Sequence, residues 1–233
     1  MTTTTSTSRR SSSSGRRVAI RCSTRVDGDF HLTRQPFDEL DRRRRWFVDL
    51  PWTMADQRHD VGIVRVDAPG AGDGARGDIV ITDLHDVVLG CWVADCAPIV
   101  MIGTDGEFAV VHAGWRGLAA GVVDVAVAAF RQPVSEVVLG PVIGPCCYEF
   151  GDDDLVAVAA GVHVDPTAIR STTSNGRTAL DVPAAVAAAA DRHGLSASRL
   201  GGCTGCTHEG FSHRVRRDPE RQVVAAWRPG VAA

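Results

Sequence analysis

The sequence predicts an α/β fold, a single domain in which a large mixed β-sheet is flanked by helices. Three observations predict it. From residue 17 onward, short β-branched runs alternate with alanine-rich segments of helical period, punctuated by Gly and Pro. The link GTDGE (103–107) is short enough to join antiparallel neighbours. The passage over 107–143 has the strand, helix, strand order of a βαβ unit, which makes its two strands parallel.

Taken in order, β-branched runs mark strands at 18–24 (VAIRCST), 62–66 (GIVRV), 78–83 (DIVITD), 87–93 (VVLGCWV), 98–103 (PIVMIG), 107–113 (EFAVVHA), 136–143 (EVVLGPVI) and 222–228 (QVVAAWR). Helices are expected at 36–50, 117–132, 152–162 and 182–193. The last opens on Asp181 as N-cap with Pro183 in its first turn, and closes on Gly194. Within the first, the run Arg42 to Arg45 reads as a solvated face. The turn-rich stretches 67–77 and 170–178 read as mobile loops, since neither is long enough to isolate a second core. No internal repeat is present.

Residues 1–16 (MTTTTSTSRRSSSSGR) are Ser/Thr-rich with Arg, carry no apolar segment of a secretory signal, and are expected to form a disordered tail. The catalytic domain is then 17–233. A chain of 233 residues buries roughly 70% or more of its unfolded surface, so its core needs neither disulfides nor a metal. No apolar run approaches the roughly 18 residues of a membrane span. Seven Cys, an odd number without framework spacing, fit a reducing cytoplasm and free thiols.

Composition excludes several activities. All 25 basic residues are Arg, which removes Schiff-base enzymes and the phosphate-loop and kinase lysines. Residues 1–22 hold five of those Arg and no acid, leaving 20 Arg against 28 acids in the body. An acidic body disfavours nucleic-acid binding, which needs clustered cations on the folded surface.

The densest polar cluster in apolar surroundings lies between 91 and 117. Cys96 follows a strand in an Ala-Asp-Cys-Ala-Pro bend, and His112 lies near the end of the next strand, before a Gly-Trp-Arg-Gly turn. Strand ends that face loops are where α/β folds place sites. Pairing through the 103–107 turn brings Cys96 and His112 close in register. Together they read as a thiolate nucleophile with its base, or as two ligands of a zinc ion. His59, also at a strand end, is the best third ligand, and a His-Cys-His set with an open fourth position belongs to catalytic zinc. A buried Cys96 acting as a small hydrophobe beside a hydrogen-bonded core His112 is the alternative.

Five segments carry a resemblance: 81–101 (ITDLHDVVLGCWVADCAPIVM), 111–123 (VHAGWRGLAAGVV), 139–151 (LGPVIGPCCYEFG), 179–185 (ALDVPAA) and 203–227, which begins CTGCTHEGFSHRVRRD. In this order, and with HAGWRG and GPCCYE together, they resemble the YfiH-like family, also called laccase-domain or polyphenol-oxidase-like proteins and assigned to purine nucleoside metabolism. The resemblance implies that fold and a zinc held by His59, Cys96 and His112, in agreement with the reading from the residues. Where the family shows Gln-Val-His-Gly, this chain has Gln57-Arg58-His59-Asp60; where the family shows SxRxGG, it has Ser23 to Gly28, from which Arg25 is carried over as a substrate contact.

Arg116, in a Gly-flanked turn at a helix start, is a candidate phosphate ligand, with a structural ion pair as the rival reading. Cys146 and Cys147 end a strand, where neighbours point opposite ways, so pocket lining by Cys147 is favoured over metal ligation. Cys203-Thr204-Gly205-Cys206 has no partner CxxC and reads as a structural turn, with Ser212 or His213 facing the pocket.

The resemblance implies phosphorolysis of adenosine, inosine and 5′-methylthioadenosine, and deamination of adenosine. Deamination links directly to zinc, which makes a bound water nucleophilic near pH 7, with Asp95 as the proton shuttle or merely a turn-capping residue. For phosphorolysis, zinc and an Arg would orient phosphate. The partners are therefore nucleosides and phosphate, with no nucleic acid or membrane, and a monomer or weak homodimer is expected. Rival readings are a metal-free hydrolase or deamidase with Cys96 as nucleophile and His112 as base, a copper polyphenol oxidase, and a scaffold that kept the fold. Copper oxidases use His-x-His pairs, and none of the eight His is so paired.

Overall fold

The computed structural model describes residues 18–230 and the backbone of 8–10. The apolar runs and alanine-rich segments become, along the chain, β1 (Ser8–Arg10), β2 (Ala19–Cys22), α1 (Phe37–Phe47), β3 (Trp52–Met54), β4 (Ile63–Arg65), β5 (Ile79–Thr82), β6 (Val88–Val93), β7 (Ala97–Gly103) and β8 (Phe108–Ala113). They continue with α2 (Trp115–Ala119), α3 (Val122–Ala129), β9 (Val134–Leu139), α4 (Asp152–Gly161), β10 (Arg170–Thr172), β11 (Thr178–Leu180), α5 (Val182–Asp191), β12 (Ala197–Arg199), α6 (His213–Arg216) and β13 (Gln222–Trp227).

All the strands expected from sequence are present, shared between two mixed sheets. One has the order β1-β2-β13-β6-β3 and the other β12-β9-β7-β8-β5-β4. Antiparallel pairs dominate, with parallel pairing at β3–β6, β4–β5 and β12–β9. The βαβ unit is there: β8 and β9 flank β7, each antiparallel to it, so they run parallel to one another with α2 and α3 in the crossover.

Alternation along the strands builds four layers. On β7, Ile99 and Met101 face a core shared with α2 to α5, whereas Val100 and Ile102 face the second sheet. On β13, Val224 and Ala226 enter that inter-sheet core, while Val223 and Ala225 face a third cluster under α1 with Phe30, Leu40 and Phe47. Helix, sheet, sheet, helix is therefore the stacking order. Each fully buried Ile, Leu, Val or Met contributes about 1.5–3 kcal/mol to it.

The one large sheet expected is two stacked sheets, and four local expectations are also corrected. The single helix at 117–132 is broken into α2 and α3, because Gly121 adopts a left-handed φ of 76° between them. Part of the 170–178 stretch is strand: β10 and β11 pair antiparallel from Arg170–Leu180 to Thr172–Thr178. The 67–77 stretch is a hydrogen-bonded turn, with Gly74 N–H donating to the Met54 carbonyl at 2.9 Å and Asp56 N–H to that of Ala75 at 2.8 Å. The arginine run is not wholly solvated: Arg44 is 1% exposed and donates two hydrogen bonds to Asp73, at 2.9 and 3.1 Å. Its position is forced by α1, whose inward face is Leu40, Arg44 and Phe47.

Asp181 caps α5 as expected, accepting from Ala184 N–H at 3.0 Å, and Gly194 lies beyond the helix end at φ 70°. Most of the expected tail, residues 1–7 and 11–16, lies outside the described residues, but the backbone of 8–10 pairs with β2. Among the described residues no helix is long and apolar enough to cross a membrane, and all seven cysteines are free thiols.

Candidate active site

Asp78, just before β5, organises the site from beneath. Its carboxylate is buried and accepts three backbone N–H bonds, from His59 at 2.9 Å and from Arg58 and Asp60 at 3.0 Å each. These bonds hold the 58–60 loop in a tight turn and support His59 at a left-handed φ of 61°, rare for a residue with a side chain. The same carboxylate accepts from His112 Nδ1 at 2.6 Å, and the Asp78 carbonyl accepts from His112 N–H at 2.7 Å. With its proton placed on Nδ1, His112 turns the Nε2 lone pair away from Asp78.

Cys96 arrives from the turn between β6 and β7. The β7–β8 register sets Pro98 opposite His112, and period-two alternation then puts Cys96 on the same side one step along. Its Sγ lies 3.8 Å from His59 Nε2, and the His59 and His112 rings meet edge to face at 4.6 Å. One donor atom from each of His59, Cys96 and His112 lies within 4.8 Å of the others. His59 is exposed, Cys96 half-buried and His112 buried, so the trio has an open side. Gly114 makes the approach possible: a Cβ there would fall 2.5 Å from His59 Cδ2 and 3.4 Å from Cys96 Sγ.

The charges support one another. Burial acts to raise the Asp78 carboxyl, but His112 and the amides of Asp60 and Arg58 hold it at about 2. Burial also acts to raise the Cys96 thiol, yet the charge and hydrogen bond of His112, with help from His59, bring it down to about 6. His112 goes the other way: burial disfavours its cation, and the Cys96 thiolate and Asp78 together lift it to about 9. These opposite shifts favour the thiolate and imidazolium forms of the pair when no metal is bound. With one, the donors are two imidazole nitrogens and a thiolate, a borderline-soft set suited to zinc. The Gly114 cradle and the Asp78-fixed tautomer fit that role.

The other residues singled out from sequence are placed differently. Asp95 is 7% exposed, with φ 93°, and both its oxygens are taken, by Thr204 Oγ1 and by Arg214 N–H, each at 2.6 Å. Arg116 is exposed at the start of α2, its guanidinium 4.3 Å over the Trp115 ring and paired with no carboxylate among the described residues. Arg25 is committed to the C-terminal segment, ion-paired with Asp218, donating to the Gly210 carbonyl at 3.0 Å and resting on Phe211. Ser212 is buried and caps α6, accepting from Val215 N–H at 3.2 Å. Cys147 is not beside the trio but in a second group of thiols with Cys146, Cys203 and Cys206.

Two participants escaped the sequence reading. Asp78 is one of 28 acids, and only the β5–β8 register reveals that it lies beside His112. Tyr148 is buried, carries the Arg214 guanidinium on its ring, and is pushed to about 12 by burial and the nearby Cys96. The signal for Tyr148 was present in GPCCYE.

A mixed α/β domain with an open histidine, cysteine, histidine donor set on a buried aspartate is the class that fold and site define. A family model described as multi-copper polyphenol oxidoreductase laccase matches residues 8–228, and the chain belongs to this YfiH-like family. Proteins named purine nucleoside phosphorylase are similar to it: one from Pseudomonas aeruginosa is 33% identical over 91% of this chain and 93% of its own length. One from Xylella fastidiosa is 38% identical over 73% of this chain and 70% of its own. The fold is shared with the crystal structure of a Neisseria meningitidis protein, TM-score 0.81, 23% identical, covering 96% of this chain and 100% of that one. It is also shared with Bacillus licheniformis hypothetical protein YfiH, TM-score 0.79, 21% identical, covering 90% and 92%.

Proposed function

We propose that this chain is a purine nucleoside phosphorylase whose His59, Cys96 and His112 hold a zinc ion, acting on inosine, adenosine and 5′-methylthioadenosine, with adenosine deamination as a further activity. The observation that carries the reading is the convergence of those three donors over a carboxylate that fixes the His112 tautomer. The name borne by relatives at 33–38% identity supports the reaction class. When bound, the metal would supply positive charge to a substrate oxygen where negative charge develops.

The remaining work falls to the chain's own groups. Asp78 keeps the proton on His112 Nδ1, so Nε2 stays a ligand. Arg116, with no carboxylate partner among the described residues and its guanidinium over Trp115, offers that group to phosphate two residues after Gly114. Phosphorolysis needs phosphate oriented against the anomeric carbon, a matter of position and charge more than of proton transfer. Deamination would ask more of Asp95, which must first release Thr204 or the Arg214 amide before it can shuttle a proton. That ranks phosphorolysis first. Arg25, bound to Asp218, would act by holding the 210–218 segment.

A second reading has one observation in its favour. The Cys96 thiol held near 6 beside a His112 held near 9 is the pairing of a thiol nucleophile with its base, as in a metal-free hydrolase. One experiment separates the two. Purified protein is incubated with inosine, adenosine and 5′-methylthioadenosine, with and without phosphate, before and after chelation, and the products are resolved. Phosphate-dependent release of base, lost on chelation and restored by zinc, is the expected result. Turnover that survives complete metal removal, or none with any nucleoside, overturns the proposal.

A further inference from the structure

A second cluster of potential ligands lies apart from the His59, Cys96 and His112 group. Cys146 and Cys147 come from the single 3-10 turn Pro145–Cys147 that follows β9, and Cys203 and Cys206 from the turn after β12. One sulfur from each lies within 4.8 Å of the others. Cys146 Sγ is 3.3 Å from Cys206 Sγ and 3.7 Å from Cys203 Sγ, and Cys147 Sγ is 3.5 Å from Cys206 Sγ. Four sulfurs placed tetrahedrally at about 2.3 Å from one ion are separated by about 3.8 Å, close to this spacing. A disulfide needs its sulfurs near 2.05 Å, and no pair here is bonded.

From this geometry we infer that Cys146, Cys147, Cys203 and Cys206 form a closed four-thiolate site for a thiophilic divalent cation, zinc in the first place, separate from the His59–Cys96–His112 site. The local backbone is shaped to allow it. Adjacent cysteines on a strand would diverge, but in a 3-10 turn successive side chains are only about a third of a turn apart, so both sulfurs reach one point. Gly144 N–H donates to Cys203 Sγ at 3.0 Å, the outer hydrogen bond that orients a thiolate ligand. Gly205 has no room for a side chain, since a Cβ there would lie 2.8 Å from Cys147 Sγ. Each thiol that binds releases its proton to solvent, and the ion keeps its oxidation state.

Four protein ligands leave no position for substrate, so the site is structural. It clasps segments more than fifty residues apart, 145–147 and 203–206. Thr204, inside the clasp, is the residue that donates to Asp95 next to Cys96, and Arg214 N–H takes the other Asp95 oxygen. The clasp thus braces the turn that carries the active-site thiol. This inference does not depend on the nucleoside reading.

Metal content of the full chain, grown with zinc and dialysed, tests it by elemental mass spectrometry. Two zinc ions per chain are expected in the wild type, one in Cys96→Ala, and one in Cys146→Ser/Cys203→Ser. Because the double variant is at risk of misfolding, Cys96→Ala is also stripped and loaded with cobalt(II), where an intense thiolate-to-cobalt absorption band is expected. If the wild type holds one ion that is lost in Cys96→Ala, and that variant gives no thiolate–cobalt band, the inference is overturned. It is equally overturned if a non-reduced digest shows a disulfide among these four cysteines. Retention of one ion by both wild type and Cys96→Ala would uphold the four-thiolate site while refuting zinc at the trio.

Discussion

Asp78 is where a single substitution should separate fold from chemistry. In Asp78→Asn the amide has one acceptor oxygen where the carboxylate has two, so the His112 bond and the three amide bonds cannot all survive. Outer-shell changes of this kind weaken metal affinity by about 10–100-fold, which a competition titration of zinc against a chromophoric chelator would measure. Gly114→Ala tests the steric half of the same design. Its methyl would displace His59, so zinc bound at the trio should be lost while the circular dichroism spectrum stays that of the wild type; unchanged zinc affinity would show that the His59 ring is not confined. Cys96, His112 and His59 were legible because each sits at an expected strand end beside a turn: Cys96 after Asp95, His112 two residues before Gly114, and His59 among polar neighbours just ahead of an apolar run. Asp78 was not, since its importance comes from a cross-strand neighbour 34 residues away. For Cys146 and Cys147 strand alternation was assumed where the chain makes a 3-10 turn, so the approach of their sulfurs to those of Cys203 and Cys206 was not visible in the sequence.

Among elements, long apolar strands were readable, and of the three-residue strands only β4 was. β3 and β12 hold their places through parallel pairing with β6 and β9, which no local pattern encodes. Helix α1 was read correctly as a helix, but its arginine run hid Arg44, whose inward position is balanced by an aspartate in a distant turn. At the far end of the chain, α6 and its flanks depend on Asp218, which accepts from Ser212 N–H at 2.8 Å and Arg216 Nε at 3.0 Å and pairs with Arg25. Burial acts to raise its carboxyl, and Arg25, the Ser212 amide and Arg216 outweigh that and lower it. A depressed carboxyl adds stability above its unfolded value, and that contribution is lost as pH falls below it. Asp218→Asn should therefore cost about 1–3 kcal/mol at neutral pH, and the gap from wild type should close below about pH 4 in urea melts. A gap that stays constant into acid would rule out this ion network.

Across the whole molecule, the sequence could say which residues of a strand are apolar on both sides but not which sheet lies opposite, so one large sheet was expected where two are stacked. It also indicated that a chain of this size needs no metal to fold, which leaves any bound ion as added stability. Ligand that binds only the folded state at a hundredfold its dissociation constant adds about 2.7 kcal/mol. For a domain of this length, saturating one site with zinc should raise Tm by roughly 5–10 °C over stripped protein in calorimetry, and an unchanged Tm would mean that neither thiolate group binds it in the native state.

β13, residues 222–227, lies in the interior of its sheet, between β2 and β6. During synthesis it emerges after every other described strand, so until then β2 and β6 lack a neighbour along one edge each. Strands made early therefore wait for one made later, and any product that stops short of residue 222 carries two adhesive sheet margins that invite aggregation and clearance by proteases.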